Sequence, residues 1–222
     1  MTPSKTSETT NKNNRHAPVG EKSLRIVLAS ASPRRQQLLS QIGLDFEVIT
    51  PHCDETQKPG DRPGIHVERL AIEKATDVAT GCTQALVIGA DTIVVLDRVI
   101  LGKPETPEHA VEMLLQLSGR THQVFTGVSL IRTGEEGLFL QKNSFHEITE
   151  VTFGRLRKSD IEAYVASGSP LDKAGSYGIQ DDLGALFVQR INGDYYNVVG
   201  FPLFRFYTEV NKMIPGHVTP FK

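Results

Sequence analysis

Ala85-Leu86-Val87-Ile88-Gly89-Ala90-Asp91-Thr92-Ile93-Val94-Val95-Leu96 is an almost unbroken apolar run rich in β-branched side chains. Such a run reads as a strand covered on both faces, the centre of a sheet with helices on either side. Asp91 is out of place in it, because an ionised carboxylate costs several kcal/mol to bury without a partner. It is therefore expected at an exposed strand end, where it activates water or holds a divalent cation; the plainer alternative is a turn cap. Gly89, just before it, is read as a place where a ligand approaches the backbone.

Working outward, strand and helix patterns alternate on the N-terminal side. Residues 24–29 form a short strand, broken at 30–33, and residues 34–42 a helix with Ser32 as N-cap and Pro33 in its first turn. Gly43 ends that helix, and residues 46–49 form a second strand. Residues 65–80 carry a helical stripe of Val67, Leu70, Ala71, Ala75 and Val78. On the C-terminal side, residues 107–117 read as a helix, and residues 123–131 and 138–153 as a hairpin turning at Thr133-Gly134-Glu135-Glu136-Gly137. Residues 159–167 follow as a helix capped by Ser159, then a loop at 172–184, a strand at 185–191 and a closing helix at 201–213. The predicted class is α/β, with a mixed sheet flanked by helices. Its domain spans residues 23–214, with a polar, disordered tail at 1–22 and a short tail at 215–222.

Composition narrows the function. At 222 residues, with 39% apolar and 23% charged side chains, the chain can bury a core without metal or disulfide staples. A net charge near −2 argues against a long nucleic acid or an anionic membrane as partner, but not against a small polyanion in a local basic pocket. Cys53 and Cys82 have neither metal-ligand spacing nor a framework of pairs, which points to a reduced, cytoplasmic setting. No apolar run approaches the roughly 20 residues of a membrane span.

Five segments carry chemistry. Ser30-Ala31-Ser32-Pro33-Arg34-Arg35 lies where a strand feeds a helix, so backbone N–H groups, two hydroxyls and two guanidiniums converge on a point suited to phosphate. Its alternative is a capped helix with solvated arginines. Gly89-Ala90-Asp91-Thr92 is the second. Lys103, after Gly102, gains meaning from Lys74 and Lys173, although Lys74 alone reads as a surface residue on its helix. In Asp172-Lys173-Ala174-Gly175-Ser176-Tyr177-Gly178-Ile179-Gln180 small residues let the backbone approach a ligand, and Gln180 can read a base edge; a flexible surface loop competes. Asn192-Gly193-Asp194-Tyr195-Tyr196-Asn197 is simplest as a turn. Asp54 and Glu55 are metal ligands or plain solvated acids. A Walker-type phosphate loop, a dinucleotide fingerprint, HExxH and a serine-hydrolase elbow are all absent from the sequence.

In order and spacing these segments, with Glu73-Lys74-Ala75, Leu117-Ser118-Gly119-Arg120-Thr121-His122 and Gly193-Asp194-Tyr195-Tyr196-Asn197-Val198-Val199-Gly200, closely resemble the Maf family of nucleotide pyrophosphatases from about Leu24 to Phe206. That family is related in fold to the inosine triphosphate pyrophosphatases. The resemblance implies an elongated, twisted mixed sheet, a cleft between two lobes and usually a homodimer. It implies hydrolysis of a nucleoside triphosphate to monophosphate and pyrophosphate with Mg²⁺ or Mn²⁺. Asp91 would be the general base for water attacking the α-phosphate. Arg34, Arg35, Lys74, Lys103, Lys173 and the metal would stabilise the charge, and Glu55, with Asp91, would hold the metal. Ser30 and Ser32 would fasten the phosphates, and Thr92 and Gln180 would face the base.

One group of the family acts on dTTP and UTP, another on 7-methyl-GTP. Arg34, Thr92 and Gln180 match the first group, where the second has Trp, Gln and Glu. The alternatives are the 7-methyl-GTP reaction and a non-enzymatic regulator of cell division. The chain departs from the family pattern in Phe201, where Leu is usual, and in Asp181-Asp182-Leu183, one residue longer before Gly184. These two extra carboxylates are expected beside the triphosphate, weakening binding or reshaping the base pocket. Because residues 1–20 have almost nothing apolar to bury, their deletion is expected to leave melting temperature and pyrophosphate release nearly unchanged; thermal melts and a turnover assay on the shortened chain check this.

Overall fold

The computed structural model describes residues 24–56, 58, 60–181 and 183–216. The polar N-terminal tail, residues 217–222 of the C-terminal tail and Asp182 lie outside the described residues. In chain order the regular elements are β1 (Arg25–Ala29), α1 (Pro33–Gln41), β2 (Glu47–Val48), α2 (Pro63–Ala79), β3 (Ala85–Leu96), β4 (Val99–Leu101) and α3 (Pro107–Leu117). Then come β5 (Thr121–Thr133), β6 (Phe139–Phe153), α4 (Lys158–Ala166), β7 (Val188–Asn192), α5 (Tyr195–Val199) and α6 (Leu203–Met213). Seven strands form one sheet in the order β2-β1-β3-β5-β6-β7, with β4 added on β3. The β2-β1 and β1-β3 pairs are parallel and the rest antiparallel, so the sheet is mixed as the sequence predicted.

Strand period divides β3 between two cores. Leu86, Ile88, Ala90, Val94 and Leu96 join the larger core with side chains of α1, α3, α4 and α6. Val87, Ile93 and Val95 face the other way, into smaller clusters with Val67, Ala75 and Val78 of α2. The helical stripe read for α2 is this buried face.

Two glycines set how closely α2 sits. A Cβ on Gly89 would stand 2.3 Å from the carbonyl oxygen of Ala71 and 2.7 Å from the backbone nitrogen of Ala75. One on Gly127, in β5, would stand 2.3 Å from the carbonyl oxygen of Val67. Gly127 pairs with Asp91 and Gly89 lies two residues before it, so both glycines share Asp91's face of the sheet. The expectation at Gly89 is thereby corrected: its missing side chain admits the backbone of a helix rather than a ligand.

Several boundaries also differ from expectation, each for a local reason. Ser32 holds the N-cap position of α1 but makes no side-chain cap bond; its N–H donates to Ser30 Oγ at 3.2 Å instead. Helix α4 starts a residue early with Arg157 at its N-cap, so Ser159 lies inside the first turn, and Arg157 binds Asp160 at 2.8 and 3.0 Å. The strand expected at 185–191 begins only at Val188, because Gly184–Phe187 coils into a 3₁₀ turn that buries Phe187. The supposed simple turn before the last helix contains α5, capped by Asp194, which accepts from the Tyr196 N–H at 2.8 Å.

Gly89→Ala and Gly127→Ala are expected to lower stability by roughly 1–3 kcal/mol or more, since backbone rather than a flexible side chain must move aside. Gly154, where an added Cβ would meet nothing within 4 Å and where φ is not left-handed, is the control, and its Ala variant should stay within about 0.5 kcal/mol. Denaturant unfolding of the three variants tests the seat of α2.

Candidate active site

The site is a gap in the sheet. Strand β1 pairs with β3 only as far as Ala29–Gly89, and β4 takes up β3's edge only from Val94–Leu101. Residues 90–93 therefore have no strand partner on that side, and a cavity of about 700 Å³ opens there, within the ordinary range for ligand sites. Because the edge is open, Asp91 from one face of β3 and Thr92 from the other both reach it. Asp91 is thus not at a strand end as expected but in mid-strand, 7% exposed.

Its partner is Lys74. Seating α2 against Gly89 brings the Lys74 ammonium to 2.7 Å from Asp91 Oδ1 and 2.8 Å from Glu55 Oε1. The surface reading of Lys74 is overturned: its side chain is 6% exposed because its helix lies flush on the sheet. Burial pushes the Glu55 carboxyl up, but the Lys74 ammonium outweighs this and holds it below the usual carboxylate range. The loop that carries Glu55 is strapped by Arg69, whose guanidinium donates to Thr56 O at 3.2 Å, Asp61 Oδ2 at 3.0 Å and Glu73 Oε1 at 3.1 Å. Asp54 is not part of the cavity wall; it accepts from Thr56's backbone N–H at 2.9 Å in a local turn.

Beside this cluster Arg35 is buried with neutral acceptors only. It donates to Gly200 O at 3.0 Å, Ser30 Oγ at 3.1 Å and Thr92 Oγ1 at 3.0 Å. Burial lowers its pKa and Asp91 partly opposes this, but a guanidinium keeps its charge. Among the described residues no carboxylate comes within ion-pair range of it, so its charge is met by the dipoles of these neutral oxygens. Thr92 is already committed, to Arg35, to Thr126 Oγ1 at 3.0 Å and to Gly200 O at 3.4 Å. Its hydroxyl fixes the arginine rather than standing open for a base.

The opposite wall is residues 172–180. Arg34 pairs with Asp172 at 2.8 Å, and Asp172 also accepts from Lys173 Nζ at 2.9 Å. Burial pushes the Asp172 carboxyl up, and these two cations more than reverse it. Lys173, 8% exposed, further meets Ser169 O, Ser169 Oγ at 3.3 Å and Asp181 Oδ2 at 3.2 Å. Lys103 and Gln180 are exposed on the rim and make no hydrogen bond within the described residues; Ser32 also lines the cavity. The small residues of this wall serve packing: a Cβ on Gly175 would meet Val94 at 2.8 Å, and one on Gly178 would meet the Asp181 carboxylate at 2.6 Å. Asp181 is not itself part of the cavity wall, although it touches Lys173, which is, and Asp182 lies outside the described residues.

The structure thus brings Ser30, Ser32, Arg34, Arg35, Glu55, Lys74, Asp91, Thr92, Lys103, Lys173 and Gln180 to one cavity. The sequence reading missed His66, which the stripe through Leu70 and Lys74 could have found, and Tyr177, which also lines it. Tyr177 bonds His122 Nε2 at 2.8 Å, and burial lowers that imidazole to about 4, so the ring is neutral. No helix among the described residues is long and apolar enough to cross a membrane.

Comparison with known proteins identifies the family. The family model described as "Maf-like protein" matches residues 25–213. A dTTP/UTP pyrophosphatase of Moorella thermoacetica is 52% identical over 181 residues, which is 81% of this chain and 90% of that protein. One of Bacillus cereus is 47% identical over 193 residues, covering 87% and 92%. The Staphylococcus aureus Ham1 protein is a distant partial likeness, at 19% identity and a TM-score of 0.39 over 58% of this chain and 71% of that one. With a family model spanning almost every described residue and relatives near half identity, the chain belongs to the Maf family.

Proposed function

We propose that this chain is a nucleoside triphosphate pyrophosphatase that hydrolyses dTTP and UTP to the monophosphate and pyrophosphate. The observation that carries the reading is the pairing of a buried, ionisable Asp91 with a cavity whose cations outnumber its acids: Arg34, Arg35, Lys74, Lys103 and Lys173 against Glu55, Asp91 and Asp172. A binding protein needs the cations alone, whereas a carboxylate as buried as Asp91 beside them repels a phosphate, and in this reading it serves as the base. The names of the Moorella and Bacillus relatives support the same reaction and the same bases.

In this reading the phosphates lie between the strand–helix junction at Ser30–Arg35 and the lysines. Asp91 accepts the proton of a water that attacks the α-phosphorus, and the bond from that phosphorus to the bridging oxygen breaks, releasing pyrophosphate. Arg35, rigidly forked by Ser30, Thr92 and Gly200, meets charge on the transferring group, with Arg34, Lys74, Lys103 and Lys173 on the leaving phosphates. Preorganised donors lower the barrier because they need no reorientation as that charge develops.

A divalent cation, Mg²⁺ or Mn²⁺, fits the donor set. Glu55 and Asp91 already converge on one positive group, the Lys74 ammonium, at 2.8 and 2.7 Å. Among the described residues no group of three or more His, Cys, Asp or Glu side chains that could hold a metal ion stands together, so Glu55 and Asp91 would hold the ion with substrate phosphates and water completing its shell. Bound there, it would supply electrostatic stabilisation of phosphate oxygens. The reading includes a homodimer in the cytoplasm; the free Cys53 and Cys82 are consistent with the latter.

Base choice falls to Gln180, since Thr92 is engaged with Arg35. A carboxamide offers both a donor and an acceptor to the carbonyl–imide–carbonyl edge of a thymine or uracil. A methylated, positively charged purine would instead favour a carboxylate and an aromatic partner.

Two outcomes are expected. Asp91→Asn should remain folded and keep binding nucleotide while pyrophosphate release falls by roughly 10²-fold or more; near-normal turnover by that variant removes Asp91 from the mechanism. Steady-state kinetics on dTTP, UTP, 7-methyl-GTP, ATP and GTP should rank the first two highest in kcat/KM, and Gln180→Glu should erode that ranking by setting a carboxylate against carbonyl oxygens. A lead for 7-methyl-GTP in the unaltered protein would overturn the assignment of substrate while leaving the reaction class standing.

A further inference from the structure

We propose that Asp181 is a positioning residue that fixes the recognition wall of the cavity, holding Lys173 and the Gly178–Gln180 segment in register with the bound nucleotide. The inference rests on reading the cavity as the nucleotide site. It departs from the expectation that an added carboxylate next to Gln180 weakens binding.

One oxygen of Asp181 gathers three donors from three places in the chain. Oδ2 accepts from Tyr164 Oη on α4 at 2.8 Å and from Ser169 Oγ at 2.7 Å, and lies 3.2 Å from Lys173 Nζ. The Tyr164 hydroxyl in turn accepts the backbone N–H of Gly178 at 3.1 Å. Asp181's own N–H closes the turn onto Gly178 O at 3.1 Å, and its carbonyl accepts from Ala185 N at 2.9 Å. The carboxylate packs against Gly178 so closely that a Cβ there would sit 2.6 Å from Oδ2. Asp181 is not itself in the cavity wall, but Lys173 and Gly178, which it holds, and Gln180, its chain neighbour, are.

Charge explains why a carboxylate and not another acceptor is used. Lys173 and Arg34 otherwise share only Asp172, whose side chain is 61% exposed, while that of Asp181 is 16% exposed. A shielded acceptor is the stronger anchor for an ammonium. The Tyr164 ring is 1% exposed, so burial, aided by Asp181, raises the pKa of its hydroxyl and keeps it a donor to the carboxylate. Removing the charge leaves two hydroxyl donors and an ammonium on a weaker acceptor, and the turn that carries Gln180 then leans on the Gly178 N–H bond to Tyr164 for its tie to α4.

The attacking side, Asp91 with Lys74 and Arg35, shares none of these bonds; of the groups assigned to the reaction only Lys173, on the leaving phosphates, touches Asp181. The effect of Asp181 should therefore fall on binding. In Asp181→Asn, KM for dTTP is expected to rise about 10-fold with kcat within about 3-fold, and the Kd of a non-hydrolysable α,β-methylene dTTP analogue to rise in parallel. The preference for dTTP over ATP should narrow. Tyr164→Phe, which removes two hydrogen bonds of the tie and no charge, should raise KM in the same direction, and the double variant should fall short of the product of the two effects. A merely structural Asp181 would lower the melting temperature and leave KM, Kd and base preference unmoved at temperatures where the variants are folded. A parent enzyme that cleaves dTTP, with both single variants within 2-fold of it in KM and Kd, overturns the inference. A parent that binds the analogue but releases no pyrophosphate overturns the proposed reaction instead, and the Kd values then decide the role of Asp181.

Discussion

The site depends on the contact between α2 and the sheet at Gly89 and Gly127. Two missing side chains let the helix backbone descend until carbonyl and amide atoms nearly touch the strands. At ordinary helix-on-sheet separation, Lys74 would stand a side chain's width further out. Its ammonium could then reach solvent, and Asp91 would be left buried without a partner, at a cost of several kcal/mol. Close packing, the burial of Asp91 and the charge state of the Lys74–Asp91–Glu55 cluster are thus one constraint. The same approach places the Glu55 loop, because Arg69 of that helix carries the strap that holds it.

A second constraint is the interruption of strand pairing. A continuous neighbour along β3 would cover residues 90–93 and send Asp91 and Thr92 to opposite sides of a closed sheet. The end of β1 at Ala29 and the late start of β4 leave a window through which both faces contribute to one cavity. The chain leaving β1 turns at once into α1, so Ser30 and Arg35 arrive at the edge of that window. Function here follows from where a ladder stops.

Much of this was legible in the sequence. The apolar run of β3, the stripe of α2 and the Ser30–Arg35 junction are local patterns, and local patterns survive folding when they agree with the tertiary arrangement. The failures share a cause. Lys74 read as a surface residue because a lysine on a helix is usually solvated; its burial is decided by glycines on two strands far away in sequence. Asp91 read as a strand end because a carboxylate inside an apolar run needs an exit, and the exit proved to be a lateral gap in pairing. Glycines at 89, 175 and 178 read as room for a ligand, whereas each gives room to protein: a helix backbone, Val94 and Asp181. A glycine in a sequence marks close approach without saying by what.

The two walls of the cavity are built on different principles, and this separates their tasks. On the β3 and α2 side Asp91, Lys74 and Arg35 are buried while Glu55 is exposed, and Arg35 has no carboxylate within ion-pair range among the described residues, although Asp91 and Glu55 act on it from further off. In the proposed reading, part of the binding energy of a phosphate would go into relieving that charge, where geometry matters most to the reaction. On the 172–181 side the charges are paired in advance: Arg34 with Asp172, Lys173 with Asp172 and Asp181. Paired cations gain less from a ligand than unpaired ones, because the new contact replaces an old one. What they supply is placement, since a wall held by mutual ion pairs keeps its shape without the nucleotide and presents Gln180 from a fixed turn. Under the proposed reading the β3 and α2 wall carries the attack on the α-phosphorus, while the 172–181 wall would hold Arg34 and Lys173 against the leaving phosphates and Gln180 against the base, so a change of base could be met on one wall without rebuilding the other.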